Sequence, residues 1–158
     1  MAQHPHRPDR EDVGNYDQDL IVWAMKNAAL LRAGRLEEID ATHIAEELED
    51  LGKSERRALG GHLRNLVMHL LEWEYQPERR SGSWRSSIDN ARAEIAEIIE
   101  DSPSLRPIAK ERLEKDYALA RKNAISETGL PPDVFPTRCP YVIDQVLSDA
   151  FWPDQNGI

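Results

Sequence analysis

Three side chains in the middle of the chain have types and a spacing that suit proton transfer or metal binding. Glu55, His62 and His69 follow one another at intervals of seven residues, which is almost two turns of an α-helix. They therefore share one side of a helix, and Trp73 follows His69 by about one further turn. Imidazoles and a carboxylate that face the interior of a helical bundle can ligate a metal or relay a proton. These four residues form the candidate polar or ligand site.

The spacing of this set argues against one shared metal ion. Two helical turns span about 10.5 Å, too far for His62 and His69 to reach the same ion, and metal-binding pairs on one helix normally sit three or four residues apart. The sequence favours a structural interpretation, with His69 buried and hydrogen-bonded beside Trp73. Glu55 and His62 then face solvent or a neighbouring helix. No metal and no other cofactor is predicted.

A second candidate site is a basic and aromatic loop that contains Arg79, Arg80, Trp84 and Arg85. Positive charge beside a Ser-flanked helix start, where backbone N–H groups are free, can hold an anion. From residue 53 to residue 85 the chain has seven basic and four acidic residues, a net charge of +3, whereas the whole chain carries −9. In the alternative interpretation, Arg79 and Arg80 pair with the acidic helices of the same chain and Trp84 anchors the core.

The overall composition excludes several classes of protein. Twenty Lys and Arg stand against 29 Asp and Glu, which argues against a nucleic-acid-binding protein and against binding to an anionic membrane. No segment approaches the ~20 apolar residues that span a bilayer, and the first residues lack the apolar core of a secretory signal. A single Cys139 is typical of a cytoplasmic protein. The sequence has no Gly-rich phosphate loop, no nucleophile elbow and no HExxH motif.

Helical periodicity runs through almost the whole chain. We predict a helix that starts at Leu20 after a cap at Asp17 and ends at Gly34. Asn27 lies within its apolar stripe, either buried with a polar partner or, as the sequence favours, at the edge of the stripe. A second helix follows Asp40 and reaches Tyr75. Three further helices are predicted. One starts near residue 83, one runs over residues 109–124 up to a glycine at 129, and a short one covers roughly residues 141–147.

The long second helix leaves two alternatives open. It is one very long helix or two collinear ones, because Gly60 and Gly61 each weaken a helix by roughly 1 kcal/mol and permit a kink. Leu48 is predicted on the same buried face as Leu59 and Leu66.

These elements predict an all-α fold, a helical bundle of four principal helices, one of them very long or kinked, plus a short C-terminal helix. Residues 1–15 are expected to form an N-terminal tail, residues 16–153 a single α-helical domain, and residues 154–158 a C-terminal tail. Phe151 and Trp152 are placed where they can pin the end of the chain to the bundle.

Several segments carry a family resemblance that extends from Tyr16 to Pro153. The segments HLLEWEYQPERRSGSWRSSI, EDSPSLRP and CPYVIDQVL occur in this order, and together they resemble the bacterial family catalogued as domain of unknown function 29. The resemblance implies an α-helical domain of bacterial origin and no assigned activity. The matching positions are His69, Trp73, Pro77, Arg79, Trp84 and Pro103. His62 and the two glycines at 60 and 61 depart from the family pattern, which argues against a two-histidine site.

Two functional hypotheses follow from the sequence. The first is an uncharacterised helical protein that acts as a protein-interaction or accessory module, with a protein partner or a homo-oligomer as its natural state. The second is a small-ligand or metal-dependent enzyme with a site near His69. The sequence leaves open whether the chain is an enzyme.

Overall fold

A computed structural model describes residues 16–154. Its helices are α1 (Leu20–Arg32), α2 (Ala41–Tyr75), α3 (Gly82–Asp101), α4 (Leu105–Thr128) and α5 (Ile143–Leu147), with short 3₁₀ turns at Pro77–Arg79 and Pro132–Val134. Residues 16–154 contain no β-strand. The predicted all-α fold, with four principal helices and a short C-terminal one, is confirmed. Within the described part of the chain, no helix is both long enough and apolar enough to cross a membrane.

The helix ends follow from local chemistry. Asp19, not the expected Asp17, caps α1, since its carboxylate accepts hydrogen bonds from the backbone N–H groups of Ile21 and Val22 at 3.1 and 3.0 Å. Gly34 follows α1 with a φ of 69°, and Gly129 ends α4 with a φ of 66°. Both glycines take the left-handed conformation that other residues adopt only at a cost.

The second helix is continuous from Ala41 to Tyr75, so the very long helix is confirmed and the pair of collinear helices is not. Gly60 and Gly61 leave it uninterrupted. Leu48 is 65% exposed, and the expectation that it shares a buried face with Leu59 is wrong. The apolar stripe continues in the sequence, but the buried residues of α2 begin at Leu59.

Contacts divide the chain into two compact units, residues 1–51 and residues 52–158. In the described part of the first unit, Trp23 and Asn27 are the buried side chains of α1. Asn27 is 2% exposed and hydrogen-bonded to Trp23 and Asp40, so the alternative of a buried polar residue with a partner is confirmed and the favoured stripe edge is wrong. The single domain over residues 16–153 stays a prediction. Apart from Asp154, the predicted tails lie outside the described residues.

The second unit has one hydrophobic core. Among the described residues, its largest fully buried side chains come from α2, α3, the loop after α4, and α5: Leu59, Leu63, Leu66, Val67, Leu70, Leu71, Ile88, Ile95, Phe135 and Val146. The regular four-and-three spacing of Ile88, Ala91 and Ile95 places them on the buried face of α3, as the sequence predicts. Phe151 and Trp152 pack against the same core, which confirms their predicted anchoring role.

A buried tyrosine ties the loop before α5 to the long helix. The Tyr141 hydroxyl donates a hydrogen bond to the Glu74 carboxylate at 2.5 Å, and Tyr141 is 5% exposed. Burial, reinforced by this hydrogen bond, raises the pKa of Tyr141 far above its usual range. The phenol therefore stays protonated and remains a donor at every physiological pH.

Candidate functional site

The predicted polar site lies along α2, and the structure does not bring its members together. Glu55 is exposed, while His62 and His69 are half-buried. Glu55 and His69 are fourteen residues apart on one continuous helix, which separates them by about 21 Å along its axis. Trp73 is half-buried one turn after His69. The full set of four therefore does not form one site, and any site in this region is built around His69.

His69 has a carboxylate partner that the predicted set did not include. Its Nδ1 lies 2.8 Å from Oε2 of Glu72, and Glu72 is 3% exposed. This contact orients the imidazole ring, and the tautomer of His69 decides which group donates. The i, i+3 spacing was visible in the sequence, but the burial of Glu72 was not. Among residues 16–154, no three His, Cys, Asp or Glu side chains are grouped so that they could hold a metal ion.

The recess between α2 and α4 does not include this histidine pair. It is lined by Leu63, Arg64, Val67, Leu113, Asp116, Tyr117 and Ala120. Two arginines bracket the acid in this region, since Asp116 Oδ2 lies 2.8 Å from Nε of Arg112 and Oδ1 lies 3.4 Å from Nη1 of Arg64. The charged side chains at the recess therefore form ion pairs with one another.

The candidate anion site is an arginine and tryptophan cluster in which Arg80 is already engaged. Arg80 Nε donates to the carbonyl of Trp73 at 2.8 Å, and Nη2 lies 3.3 Å from Oδ1 of Asp154. The guanidinium also stacks over the Trp73 ring, 5.0 Å from its centroid. Arg85 stacks over Trp152 at 4.7 Å. Arg80 and Arg85 therefore contact groups of their own chain, and the acid that pairs with Arg80 lies outside the helices.

The other two members of this candidate site differ in exposure. Arg79 is exposed and Trp84 is half-buried. Trp84 lies in the first turn of α3, where its backbone N–H donates to the hydroxyl of the N-cap residue Ser81 at 3.2 Å. That cap uses one of the N–H groups an anion would need. The anion site stays a prediction.

The sequence did not point to Arg92, which binds the segment from α5 to Phe151. Its Nε donates to the carbonyl of Val146 at 3.0 Å and its Nη2 to the carbonyl of Phe151 at 2.7 Å. The guanidinium also lies over the Trp152 ring, 5.3 Å from the centroid. Arg92 is 3% exposed, and burial lowers its pKa, an effect that Asp149 and Asp89 oppose. In the sequence, Arg92 looks like an ordinary surface cation between two apolar positions.

The first unit is organised by a polar and aromatic network around Asp40. Trp23 Nε1 donates to Oδ2 of Asp40 at 2.9 Å, and His43 Nδ1 lies 2.6 Å from the same oxygen. Asn27 accepts from the Asp40 backbone N–H at 2.8 Å and donates to the Trp23 carbonyl at 2.9 Å. These bonds explain why an amide is buried in α1, because its polar groups are satisfied locally.

An aromatic stack completes this network. The Tyr16 ring stacks on His43 with 4.1 Å between centroids and meets Trp23 edge-on at 5.0 Å. Its hydroxyl donates to Glu47 at 2.5 Å, and that hydrogen bond, with burial, raises the pKa of Tyr16 to about 12. The hydrogen bond between Asp40 and His43 raises the pKa of His43 and lowers that of Asp40.

The opposite side of α1 carries two large apolar side chains that are mostly exposed. We define the outer face of α1 as Ile21, Met25, Ala28 and Arg32, which lie roughly opposite Trp23 at 100° per residue. Ile21 is 72% exposed and Met25 is 70% exposed, whereas Ala28 is half-buried and Arg32 is an exposed cation. The spacing of four, three and four residues is that of a helix that packs along another helix.

Comparison with known proteins identifies the family. Residues 15–152 match the family model described as Domain of unknown function DUF29. No curated protein and no solved structure matches the chain significantly. The match covers nearly the whole chain, as the resemblance in its sequence predicts, and the chain therefore belongs to the DUF29 family.

Proposed function

We propose that this chain is a protein-binding helical module that docks through the outer face of α1 onto an apolar surface of another protein chain. The supporting observation is the composition of α1, in which ten of the thirteen residues are apolar. A helix that is apolar on all sides is normally buried on all sides. In α1 the covered side contains Trp23 and Asn27, while Ile21 and Met25 face outward.

The distribution of exposed apolar side chains supports the same function. Among the described residues, eight of the eleven exposed large hydrophobic side chains lie between residues 20 and 51. They are Leu20, Ile21, Val22, Met25, Leu31, Leu36, Leu48 and Leu51. Single exposed apolar residues are normal, but a concentration in one short segment is typical of a binding surface.

Selection of binding peptides tests this proposal without a known partner. A displayed library of amphipathic helical peptides is selected on the purified wild-type chain, and the enriched peptides are measured by fluorescence anisotropy. We expect the double variant Ile21→Glu/Met25→Glu to weaken their binding by about 100-fold or more, since each buried aliphatic side chain contributes roughly 1.5–3 kcal/mol. Both positions are mostly exposed, so the fold should survive, which circular dichroism checks.

The matched control is Leu119→Glu, which places the same charge on an exposed apolar position of α4 that is 46% accessible. It should bind the enriched peptides as the wild type does. Failure to enrich any peptide, or equal binding to the double variant, would show that the outer face of α1 is not a docking surface.

A second candidate function, an enzyme or small-ligand protein with a site near His69, is supported by one observation. The buried Glu72 orients His69 as carboxylates orient functional histidines. Zinc titration by calorimetry tests it, with His69→Gln as the control. Binding with micromolar or tighter affinity that the substitution abolishes would support this candidate, and no heat of binding would count against a metal-dependent version.

A further inference from the structure

We infer that the outer face of α1 docks onto the same face of a second copy of this chain, in antiparallel orientation. The inference rests on the proposed function, because it names the partner of that same surface. It is carried by three properties of α1: the apolar stripe on its outer side, the position of a small residue in that stripe, and the arrangement of charges along the helix.

The stripe itself fits a helix of the same kind. Ile21, Met25, Ala28 and Arg32 repeat at the four-three-four interval of a two-helix seam. In an antiparallel pair, the two alternating positions of the seam face each other, so Met25 of one copy lies opposite Ala28 of the other. A large side chain then meets a small one in the two central layers, and Ile21 lies beside Arg32 of the other copy in the two outer layers.

Charge distribution selects the second copy and the antiparallel direction. Asp17 and Asp19 precede α1 and Arg32 ends it, while Arg35, which follows, is paired with Glu38 of its own chain. An antiparallel pair brings the acidic end of each copy to the basic end of the other, and a parallel pair brings like charges together. The helix dipoles act in the same sense, because each N-terminus lies beside a C-terminus. In a dimer with a two-fold axis each contact occurs twice, because both copies use the same surface and that surface is complementary to itself.

The oligomeric state of the purified full-length chain tests the inference. Size-exclusion chromatography with light scattering, and sedimentation equilibrium from about 1 to about 100 µM, should show a reversible dimer. Met25→Glu should raise its dissociation constant by about 100-fold, since the two-fold axis makes the substitution count twice. Met25→Gln, which adds no charge, should raise it less, and Leu119→Glu should leave it within about twofold of the wild type.

The direction of pairing is tested by cross-linking in a Cys139→Ser background. Ile21→Cys mixed with Arg32→Cys should give a linked dimer with a short bis-maleimide, because these positions face each other. Ile21→Cys alone should not, since its two copies are about 16 Å apart along an antiparallel pair. Efficient linking of Ile21→Cys to itself would indicate parallel helices and would overturn the assigned geometry.

The outcomes separate this inference from the proposed function. A chain that is monomeric at about 100 µM overturns the second copy as partner, while peptides that still bind through Ile21 and Met25 would leave the proposed function standing. A monomer that binds neutral phosphatidylcholine vesicles through these residues, and binds no peptide, would overturn both and assign the face to a lipid surface. A dimer that Met25→Glu leaves intact would also overturn the inference.

Discussion

Gly60 and Gly61 are neighbours in α2, yet a methyl group added at the two positions meets different surroundings. At Gly60 a Cβ atom would lie 2.8 Å from Cζ and 2.9 Å from Nε of Arg112, which is closer than nonbonded contact allows. At Gly61 the nearest atom would be Nη2 of Arg64 at 3.9 Å, an ordinary contact. Glycine costs about 1 kcal/mol relative to alanine inside a helix, so Gly61→Ala should raise the free energy of unfolding by about 1 kcal/mol.

Gly60→Ala gains the same helical contribution but must displace the Arg112 guanidinium. Arg112 Nε lies 2.8 Å from Oδ2 of Asp116, and the two side chains are 21% and 13% exposed. Displacement leaves the acid with Arg64 alone, 3.4 Å away. Losing an ion pair of intermediate burial costs about 1–2 kcal/mol, between the values for surface and buried pairs. The net effect of Gly60→Ala is then between about 0 and −1 kcal/mol.

Urea unfolding, followed by tryptophan fluorescence and by far-UV circular dichroism, measures both variants. Gly60→Ala should unfold with a free energy about 1–2 kcal/mol below that of Gly61→Ala, at unchanged m-value. In an Arg112→Met background, where the aliphatic stem remains and the guanidinium is gone, Gly60→Ala should recover the full gain of about 1 kcal/mol. Equal stabilisation by the two alanines in the wild-type background, or no coupling to Arg112, would refute the reasoning.

Three further predictions concern hydrogen bonds and titration. Because the pKa of His43 is raised in the folded chain, its protonated form stabilises the first unit fully below about pH 6.5, and this contribution is lost as pH rises through the raised pKa. Because the pKa of Asp40 is lowered, its ionised form contributes stability above about pH 4, and this contribution is lost as pH falls. His43→Gln should remove the loss of stability at high pH, measured by Trp23 fluorescence against pH. Tyr141→Phe should lower the free energy of unfolding by about 1–2 kcal/mol, because Glu74 loses its buried donor; an unchanged urea midpoint would contradict this. Arg92→Met should lower the free energy of unfolding by about 2–4 kcal/mol, because two carbonyls are left unpaired. A loss below about 0.5 kcal/mol in the same urea assay would argue against the anchoring role of Arg92.

The helical part of the fold was readable from the sequence because periodicity and caps act locally. The apolar spacing of α3 and the end signals at Gly34 and Gly129 depend only on neighbours within a few residues. The exposure of Leu48 was not readable, since the same helical pattern continues on both sides of Leu59 and only tertiary packing decides where burial begins.

The candidate site was less predictable, since its contacts join distant parts of the chain. The pairing of His69 with Glu72 follows from helical spacing. The arginines were not predictable in the same way. Arg92 and Arg121 donate to backbone carbonyls 54 and 14 residues further along, and any residue offers a carbonyl, so no side-chain pattern marks the partner.

The contacts of Arg92 also bear on the order in which the chain folds. They close loops of 54 and 59 residues, whereas the contacting helices α3 and α4 follow one another directly in the chain. Contacts between distant residues carry a larger entropic cost of loop closure and tend to form late. We therefore expect Arg92→Met to leave the folding rate nearly unchanged and to accelerate unfolding in stopped-flow experiments. The C-terminal segment would then set the lifetime of the native state rather than the speed at which it is reached.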